Sequence, residues 1–340
     1  MKILVPIHSS KDVSKLAKAG ANEMYCGYLP KEWIDRYNNP KIVREEKSVP
    51  CCLNNRNALK SNLLSIEALK ECIQECKKNG VELYLVLNAK YYPELAYSDL
   101  KKYLEQLRQI SVEHLIVSDL GMINYLNINF PEFRISVSCL SQVTNDSSIY
   151  FFKSISNVER IVFPRHLQIE EMCAMVEKHT DIEFEFFGLS NKCMYDDGFC
   201  RGIHDFYPIC KDNWDYNLYR GNQEMTLSQQ KNLCNKADEF THWVRGYDND
   251  RSVEYPWKGV ACSMCALRNL FVYDNVTLKL AGRGYNIDER LAQVSLCKKI
   301  YDAARDEKKL DELQQMVQQF FGMPFFCGGL NCIMKGTVWK

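Results

Sequence analysis

Two hydrophobic periodicities alternate along the chain. Runs of consecutive apolar residues, which are typical of strands buried on both faces, occur at 3–7, 23–27, 81–88, 114–118, 133–139, 158–163, 182–187 and 277–281. Between and after them, apolar residues recur every three or four positions, the spacing of amphipathic helices, at 12–19, 65–78, 98–110, 146–154, 168–179, 287–304 and 308–320. A further short helix is predicted after Gly121. Strands that alternate with helices predict parallel βαβ units.

Eight strands are the number that closes a parallel barrel. We therefore predict an α/β fold, a (β/α)8 TIM-type barrel, with an open doubly wound sheet as the alternative. No G-x-G-x-x-G follows the first strand, which argues against the usual dinucleotide-binding sheet. The predicted barrel comprises 1–188 and 277–305. A Cys-rich insertion at 189–276 covers its mouth as a lid, and 306–340 form a C-terminal helix and a Cys-bearing tail.

The carboxyl ends of the predicted strands carry polar and reactive side chains. In a parallel barrel these ends form one mouth, where the active site lies. The residues expected there are His8, Cys26, Gly27, Asn88, Ser118, Asp119, Ser138, Cys139, Arg165, His166, Gly188, Gly282 and Arg283. We therefore predict that the mouth is the functional end of the molecule.

Two arginines and two histidines are the candidate catalytic residues. Arg165 and Arg283 are placed to clamp a substrate carboxylate with two hydrogen bonds, although structural salt bridges are the commoner role of arginine. His166 and His204 are candidate proton donors, with structural roles as the alternative. Asp197 is expected to serve in a turn rather than as a base.

Composition limits the class of protein. The 340 residues include 43 Lys and Arg and 43 Asp and Glu, so the formal net charge is zero. A protein built to coat nucleic acid normally carries a basic excess, so we expect a small-molecule or peptide substrate instead. No apolar run is long enough to span a membrane, and the N-terminus lacks the features of a signal peptide. The expected location is the cytoplasm.

Cysteine is unusually frequent, with 16 residues. A reducing compartment disfavours disulfides, and many free thiols are an oxidation liability, so a metal centre in an anaerobic cell explains the excess better. The alternative is that most are small apolar core residues. We expect that role for five cysteines on helices or strands, namely Cys72, Cys76, Cys139, Cys173 and Cys297.

The remaining cysteines form pairs with short spacings. Six residues separate Cys193 from Cys200, which is too wide for a zinc knuckle but allows two thiolates to bind different irons of one cluster. The other candidates are Cys210, the pair Cys262 and Cys265, and the tail pair Cys327 and Cys332. Because the loops after strands seven and eight are neighbours in a barrel, the pairs can converge. Spacing alone leaves zinc and an iron–sulfur cluster both open.

Four segments together resemble the collagenase-like peptidase family, U32. EFEFFG at 183–188 followed by Cys193, Gly198 and Cys200 is similar to the signature of the family, with four residues before the first cysteine instead of two. The opening at 4–28 and FPRHLQIEEM at 163–172 resemble two further family segments. LKLAGRG at 278–284 resembles the Leu-Lys-Ile-Glu-Gly-Arg strand, with Ala281 replacing Glu. These segments occur in the order that the family has.

The resemblance implies a function. Several branches of the family are oxygen-independent hydroxylases, or their partners, that act on ubiquinone precursors, ribosomal RNA or transfer RNA and carry a [4Fe-4S] cluster on four cysteines. Two of those ligands carry over to Cys193 and Cys200. Cys210 and Cys262 are the implied third and fourth ligands, with Cys265, Cys327 and Cys332 as alternates.

The sequence therefore favours an iron–sulfur-dependent oxidoreductase that hydroxylates a small molecule or peptide. A peptidase or hydrolase is the second hypothesis, although no HExxH or G-x-S-x-G motif is present. A non-catalytic iron–sulfur partner is the third, because members of the family work in pairs, and a homodimer or heterodimer with a related subunit is expected in that case.

Overall fold

We analysed a computed structural model of the chain. It describes residues 1–38, 51–56, 59–191, 197–199, 219–220, 223–224, 226, 228–229, 260–283, 285–322, 327 and 332–333. Its eight barrel strands are β1 Lys2–Pro6, β2 Glu23–Cys26, β3 Glu82–Leu87, β4 His114–Val117, β5 Arg134–Val137, β6 Val158–Val162, β7 Glu183–Asn191 and β8 Val276–Leu280.

The helices follow the strands in the predicted order. They are α1 Ser10–Ala19, α2 Ile66–Lys78, α3 Tyr97–Gln109, α4 Leu120–Asn129, α5 Asp146–Lys153, α6 Ile169–Lys178, α7 Ile287–Arg305 and α8 Leu310–Phe321. Shorter helical segments are Lys31–Trp33, Ile34–Asn38, Leu59–Ser61, Glu94–Ala96, Cys139–Ser141, Asp197–Phe199, Met264–Ala266 and Leu267–Leu270. A two-stranded antiparallel ribbon joins Tyr219–Arg220 to Gln223–Glu224.

The eight strands form a closed parallel barrel. Each of β1 to β6 pairs in parallel with the next strand, β7 pairs in parallel with β6 and β8, and β8 pairs in parallel with β1. Closure confirms the predicted TIM-type barrel and rules out the open sheet. The division into barrel, insertion at 189–276 and tail from 306 remains a prediction, because much of 189–276 and of the tail lies outside the described residues.

Local sequence signals explain where the helices begin and end. The Ser9 and Ser65 hydroxyls accept hydrogen bonds from the backbone N–H groups of Lys11 and Ala68, at 3.2 Å each, and so cap α1 and α2. Helix α1 ends at Gly20, whose φ of 114° favours glycine. Apolar faces of the helices pack on the barrel, where the main hydrophobic core lies between strands and helices.

Strand β7 is longer than the sequence predicted. The pattern ended at 187, but β7 reaches Asn191 because its last residues pair with an antiparallel strand, Val260–Cys262, which we call the flanking strand. Cys262 lies opposite Leu189 in this pairing. The pairing therefore brings the end of the predicted insertion back onto the barrel wall at its carboxyl end.

Charged residues fill the amino end of the barrel interior. The Arg160 guanidinium is fully buried and donates hydrogen bonds of 2.7 Å to both carboxylate oxygens of Glu23 and one of 2.9 Å to Glu183. Lys2 Nζ lies 3.0 Å from both of these carboxylates. Arg160 also lies over the Tyr84 ring, 4.6 Å from its centroid. We call Lys2, Glu23, Arg160 and Glu183 the amino-end network.

Two further findings concern the whole molecule. In the part of the chain that the structure describes, no helix is long and apolar enough to cross a membrane. Of the five cysteines predicted as core residues, Cys72, Cys76, Cys139 and Cys297 are buried and Cys173 is half-buried. These thiols therefore have the environment expected of small apolar side chains.

Candidate active site at the barrel mouth

A cavity of about 130 Å³ opens at the carboxyl ends of the barrel strands. Its described walls contain four basic residues and one acidic residue, together with amide, hydroxyl and apolar groups. They are Tyr25, Asn55, Arg56, Val86, Asn88, Ile116, Ser138, Cys139, Leu140, Val162, Arg165, Phe187, Asp197, Lys279, Ala281, Gly282 and Arg283. The mouth lies where the sequence predicted it, because six of these residues were expected at strand ends, namely Asn88, Ser138, Cys139, Arg165, Gly282 and Arg283.

Arg283 follows β8 and is buried among neutral acceptors, with 7% of its surface exposed. Its Nη2 donates to Asn54 Oδ1 at 3.0 Å, and its Nη1 donates to Asn62 Oδ1 and to the Ser61 carbonyl at 3.4 Å each. A Cβ atom on Gly27 would lie 2.4 Å from Arg283 Nη1 and 2.0 Å from Asn62 Oδ1. Only glycine at 27 therefore leaves room for this arrangement.

Asparagines of the β2–α2 connection support Arg283. Asn54 Nδ2 donates to Asn62 Oδ1 at 2.9 Å, and Asn62 Nδ2 donates to the Arg56 carbonyl at 2.8 Å. Asn88 Oδ1 accepts a 3.1 Å hydrogen bond from the Asn55 backbone N–H. The sequence does not single out Asn54, Asn55 and Asn62, because this segment has no periodicity. The one available signal was the density of asparagines between Cys52 and Leu63.

Arg165 lines the cavity but is held in an ion pair. Its Nη1 lies 2.5 Å from Asp197 Oδ1, and its backbone N–H donates to Asp197 Oδ2 at 3.0 Å. The guanidinium also lies 4.4 Å from the Phe187 ring centroid. Arg165 therefore has the salt bridge that was the alternative to substrate binding. Asp197 lies in the short helical turn Asp197–Phe199, in keeping with the turn role expected of it, and its buried carboxylate also binds Arg165.

The turn at Asp197–Phe199 is fastened to the rim of the barrel. Lys90 Nζ donates hydrogen bonds to the carbonyls of Leu140 at 3.2 Å and Gly198 at 2.7 Å. A Cβ atom on Gly198 would lie 2.0 Å from the Gln142 side chain, so the turn contacts the barrel closely. The turn lies between Cys193 and Cys200 in the sequence, and both of these cysteines are outside the described residues.

The floor of the cavity is formed by side chains from strands β2, β7 and β8. The Tyr25 hydroxyl donates to the Leu280 carbonyl at 3.1 Å, and burial raises the pKa of Tyr25 to about 12. Lys279 Nζ lies 2.6 Å from Glu185 Oε1 and 4.7 Å from the Tyr25 ring centroid. Burial, followed by the nearby Asp197 carboxylate, raises the pKa of Cys139 to about 12. The Cys139 thiol is therefore protonated near neutral pH.

The candidate histidines and the first three candidate ligands have a different outcome. His166 is exposed and is not among the residues that line the cavity. His204, Cys193, Cys200 and Cys210 lie outside the described residues. Their proposed roles therefore remain predictions.

Cys262 and two of its alternates, Cys265 and Cys332, lie near the carboxyl end of β7. Cys262 ends the flanking strand, Cys265 lies in the next helical turn, and Cys332 forms an isolated parallel bridge with Cys262. Cys327 and Cys332 are half-buried against the same hydrophobic core. Within the described ranges, no group of three or more His, Cys, Asp or Glu side chains is placed to hold a metal ion.

Comparison with known proteins identifies the family. The family model described as Peptidase family U32 matches residues 8–329. The chain belongs to Peptidase family U32. The match confirms the resemblance carried by the four sequence segments. The solved structure of the U32 peptidase Mk0906 covers 83% of this chain, with 93% of its own length aligned, a TM-score of 0.46 and 11% identity.

The names of two curated relatives state a function. The tRNA hydroxylation protein P of Haemophilus influenzae is 28% identical over 145 residues, which are 42% of this chain and 30% of the relative. The protein of the same name from Escherichia coli is 25% identical over 177 residues, which are 49% of this chain and 38% of the relative. The chain thus spans less than half the length of these relatives.

Proposed function

We propose that this chain takes part in hydroxylation of tRNA and that the nucleotide to be modified binds at the barrel mouth. The supporting observation is a mouth cavity with four basic residues and one acidic residue among its described walls, in a U32 member whose curated relatives are named tRNA hydroxylation proteins. A basic cavity suits a substrate that carries phosphates and carbonyl oxygens.

This proposal replaces the substrate class expected from net charge. A total charge of zero describes the average of the whole surface. Substrate binding depends on the local potential, and a cleft lined by one sign of charge can attract an oppositely charged ligand whatever the total charge is. Arg56, Arg165, Lys279 and Arg283 outnumber the two carboxylates beside them, Asp197 and Glu185, and so supply a local positive excess around the cavity.

Arg283 is the residue best placed to orient the substrate. Its hydrogen bonds to Asn54, Asn62 and the Ser61 carbonyl fix the guanidinium in the cavity wall. A preorganised positive donor is effective because little reorganisation is needed when an anionic group binds. The Tyr25 hydroxyl and the Lys279–Glu185 pair form the floor below it.

The family resemblance also implies a [4Fe-4S] cluster. The proposed ligands are Cys193, Cys200 and Cys210, with Cys262 as the fourth from the resemblance, and zinc is the alternative metal. Of these, Cys262 is in the described part. It is buried, and its Sγ accepts a 3.4 Å hydrogen bond from the Met264 backbone N–H, an environment that suits a metal-bound thiolate. When bound, a cluster would supply one-electron redox chemistry.

The peptidase hypothesis has less support at the mouth. A cysteine protease needs a thiolate beside a base. Cys139 lines the cavity, but burial raises its pKa to about 12, and the described cavity walls contain no histidine. The described acidic residue there, Asp197, is bound to Arg165. A non-catalytic partner role remains an alternative that the following experiment separates.

The test is hydroxylation of tRNA in a host that lacks its own tRNA hydroxylation protein. The chain is expressed without oxygen, and tRNA nucleosides are analysed by mass spectrometry for the gain of one oxygen atom. We expect the gain with the native chain and its loss with Arg283→Gln. The exposed Arg268, which lies outside the cavity, provides the matched control Arg268→Gln.

Three results would contradict parts of this proposal. Unchanged tRNA together with modification of a small molecule or a peptide would restore the substrate class expected from net charge. Peptide cleavage by the purified chain would favour the hydrolase. Hydroxylation that appears only when a second family member is co-expressed, and that survives Arg283→Gln, would make this chain the non-catalytic partner. Iron and sulfide analysis of the anaerobic protein tests the cluster separately.

A further inference from the structure

A buried ammonium group of β8 lies at the floor of the mouth cavity. Lys279 is 7% exposed, and it lines the cavity. Its Nζ donates a 2.6 Å hydrogen bond to Glu185 Oε1 of the neighbouring strand β7. Burial of a lysine costs free energy unless its charge is paired and its N–H groups have acceptors. The acceptors around Lys279 therefore indicate whether the group serves the protein alone or also a ligand.

The described residues provide an acceptor for one of the three N–H donors of Lys279. An ammonium group carries three donors and no acceptor. Glu185 takes one of them, and the Tyr25 and Phe187 rings lie 4.7 Å and 5.7 Å from Nζ, where their faces attract its charge. The Tyr25 hydroxyl is itself a donor, to the Leu280 carbonyl. In the described part of the chain, two N–H donors are therefore open to a molecule in the cavity.

Glu185 connects this lysine to the amino-end network. Its carboxylate is fully buried, and Oε2 lies 3.5 Å from Arg160 Nη1. With Lys279 and Glu185 added, the network contains three cations and three carboxylates. The charges of this connected group are therefore balanced, so the cavity floor does not need an anionic ligand to neutralise it.

Apolar side chains from three other strands also line the cavity. They are Val86 on β3, Ile116 on β4 and Val162 on β6, and all three are buried. A phosphate or a carboxylate would lose its hydration at this surface, which costs far more free energy than burial of a neutral polar group. A carbonyl oxygen has no net charge and two lone pairs that accept N–H groups. The floor therefore suits a carbonyl group on a neutral, largely apolar part of the ligand.

We propose that Lys279 binds a carbonyl oxygen of the substrate through its open N–H donors, while Glu185 balances its charge. The inference deepens the proposed function, because it rests on entry of a nucleotide into the mouth. In a tRNA nucleotide the neutral part is the base. Uracil, cytosine and guanine carry carbonyl oxygens, whereas adenine carries none. The base that enters the mouth is therefore one of these three, bound through its carbonyl oxygen.

The first measurement is equilibrium dialysis of the full chain, purified without oxygen, against uridine, cytidine, guanosine and adenosine separately. At least one carbonyl-bearing nucleoside should bind more tightly than adenosine. Lys279→Met should weaken that binding about 10- to 100-fold, the range for loss of a hydrogen bond to a charged group. Lys153→Met is the matched control and should bind as the native chain does. Lys153 also pairs with a carboxylate, that of Asp181, and lies 5.9 Å from the Tyr150 ring centroid, but it does not line the cavity.

A double variant separates ligand binding from charge balance. Lys279→Met alone leaves Glu185 with Arg160 as its ionic partner among the described residues. Lys279→Met combined with Glu185→Gln removes one charge of each sign, so resistance to urea should recover and the test remains possible if the single variant folds poorly. Nucleoside binding should stay weak in the double variant. Recovery of binding there would overturn the proposal, because the lysine would then serve only to neutralise Glu185.

The remaining outcomes distinguish this inference from the proposed function. Carbonyl-selective binding that depends on Lys279, in a chain that leaves tRNA unmodified in the host, would support the inference and refute the proposed function. Full tRNA hydroxylation by Lys279→Met would overturn the inference and leave the proposed function intact. Equal binding of all four nucleosides, or of none, would also overturn the inference. Inorganic phosphate that binds only when Lys279 is present would overturn it too, because the floor would then be an anion site.

Discussion

The two ends of the barrel interior use buried arginine in opposite ways. Arg160, at the amino end, donates to the carboxylates of Glu23 and Glu183. Arg283, at the carboxyl mouth, donates to the side-chain oxygens of Asn54 and Asn62 and to a backbone carbonyl. The first guanidinium has its charge compensated within the protein. The second is held in the cavity wall by hydrogen bonds to amide and carbonyl oxygens.

Because of this difference, we expect the amino end of the barrel interior to contribute to stability and the carboxyl mouth to contribute to binding. In the amino-end network, Lys2 and Arg160 balance Glu23 and Glu183. Around the cavity, four basic residues of the described walls stand against two carboxylates, those of Asp197 and Glu185. Substitutions at the amino end should therefore act on folding, whereas substitutions at the mouth should act on the substrate.

The largest expected effect is at the amino end. Arg160→Met removes the cation and leaves the Glu23 carboxylate buried with Lys2 as its remaining ionic partner. Breaking a buried ion pair on one side costs about 3–5 kcal/mol of unfolding free energy. Urea unfolding, followed by circular dichroism, measures this change.

The control replaces both sides of the pair. Arg160→Met combined with Glu23→Gln removes the uncompensated charge, so part of the lost stability should return. A loss below about 1 kcal/mol for Arg160→Met alone would show that the network does not support the fold. The amino end of the barrel would then have no special role in stability.

The second effect is on the mouth. Arg283→Gln should lower tRNA hydroxylation about 100-fold, the usual effect of losing one preorganised donor. Arg283→Lys should recover only part, because a lysine retains the charge but lacks the forked donor geometry. Initial rates with purified components measure both variants. A normal rate for Arg283→Gln, with Arg268→Gln as the matched control, would remove the mouth from the proposed function.

Much of this comparison was accessible from the sequence. Consecutive apolar residues fixed the eight strands, and a barrel of parallel strands brings Arg165 and Arg283 to one mouth, where both are found. The partners of those arginines were not accessible. Asn54 and Asn62 lie in a segment without periodicity, and the meeting of Cys262 with Cys332 depends on a bridge across 70 residues. Local patterns define elements, but contacts between irregular segments depend on the assembled fold.

A third effect depends on pH at the carboxyl end of β1. Burial, followed by the charge of Arg290, lowers the pKa of His8 from 6.5 to about 4. The Asp12 carboxylate raises this pKa, and Arg283 lowers it further. The unfolded chain therefore binds a proton at pH values where the folded chain does not. Stability contributed by neutral His8 is complete above about pH 6.5 and is lost as pH falls towards 4.

The variant His8→Gln isolates this contribution. Because His8 is half-buried, we expect about 2 kcal/mol, less than the full pKa shift would give. Thermal unfolding of both proteins from pH 7 to pH 4 measures the difference, and carboxylates that titrate in this range affect both proteins alike. Parallel stability curves for the two proteins would show that His8 does not titrate in this way.

The smallest effect compares the two ion pairs themselves. The Arg165–Asp197 pair at the mouth resembles the Arg160–Glu23 pair in distance, but about a fifth of the Arg165 side chain is exposed whereas Arg160 is fully buried. Solvent screening weakens such a pair, so Arg165→Gln should cost only about 1 kcal/mol of unfolding free energy. A double-mutant cycle with Asp197→Asn gives the coupling between the two side chains directly. A coupling as large as that between Arg160 and Glu23 would mean that the ion pair at the mouth is as important to folding as the pair at the amino end. Arg165 would then stabilise the barrel rather than bind a ligand.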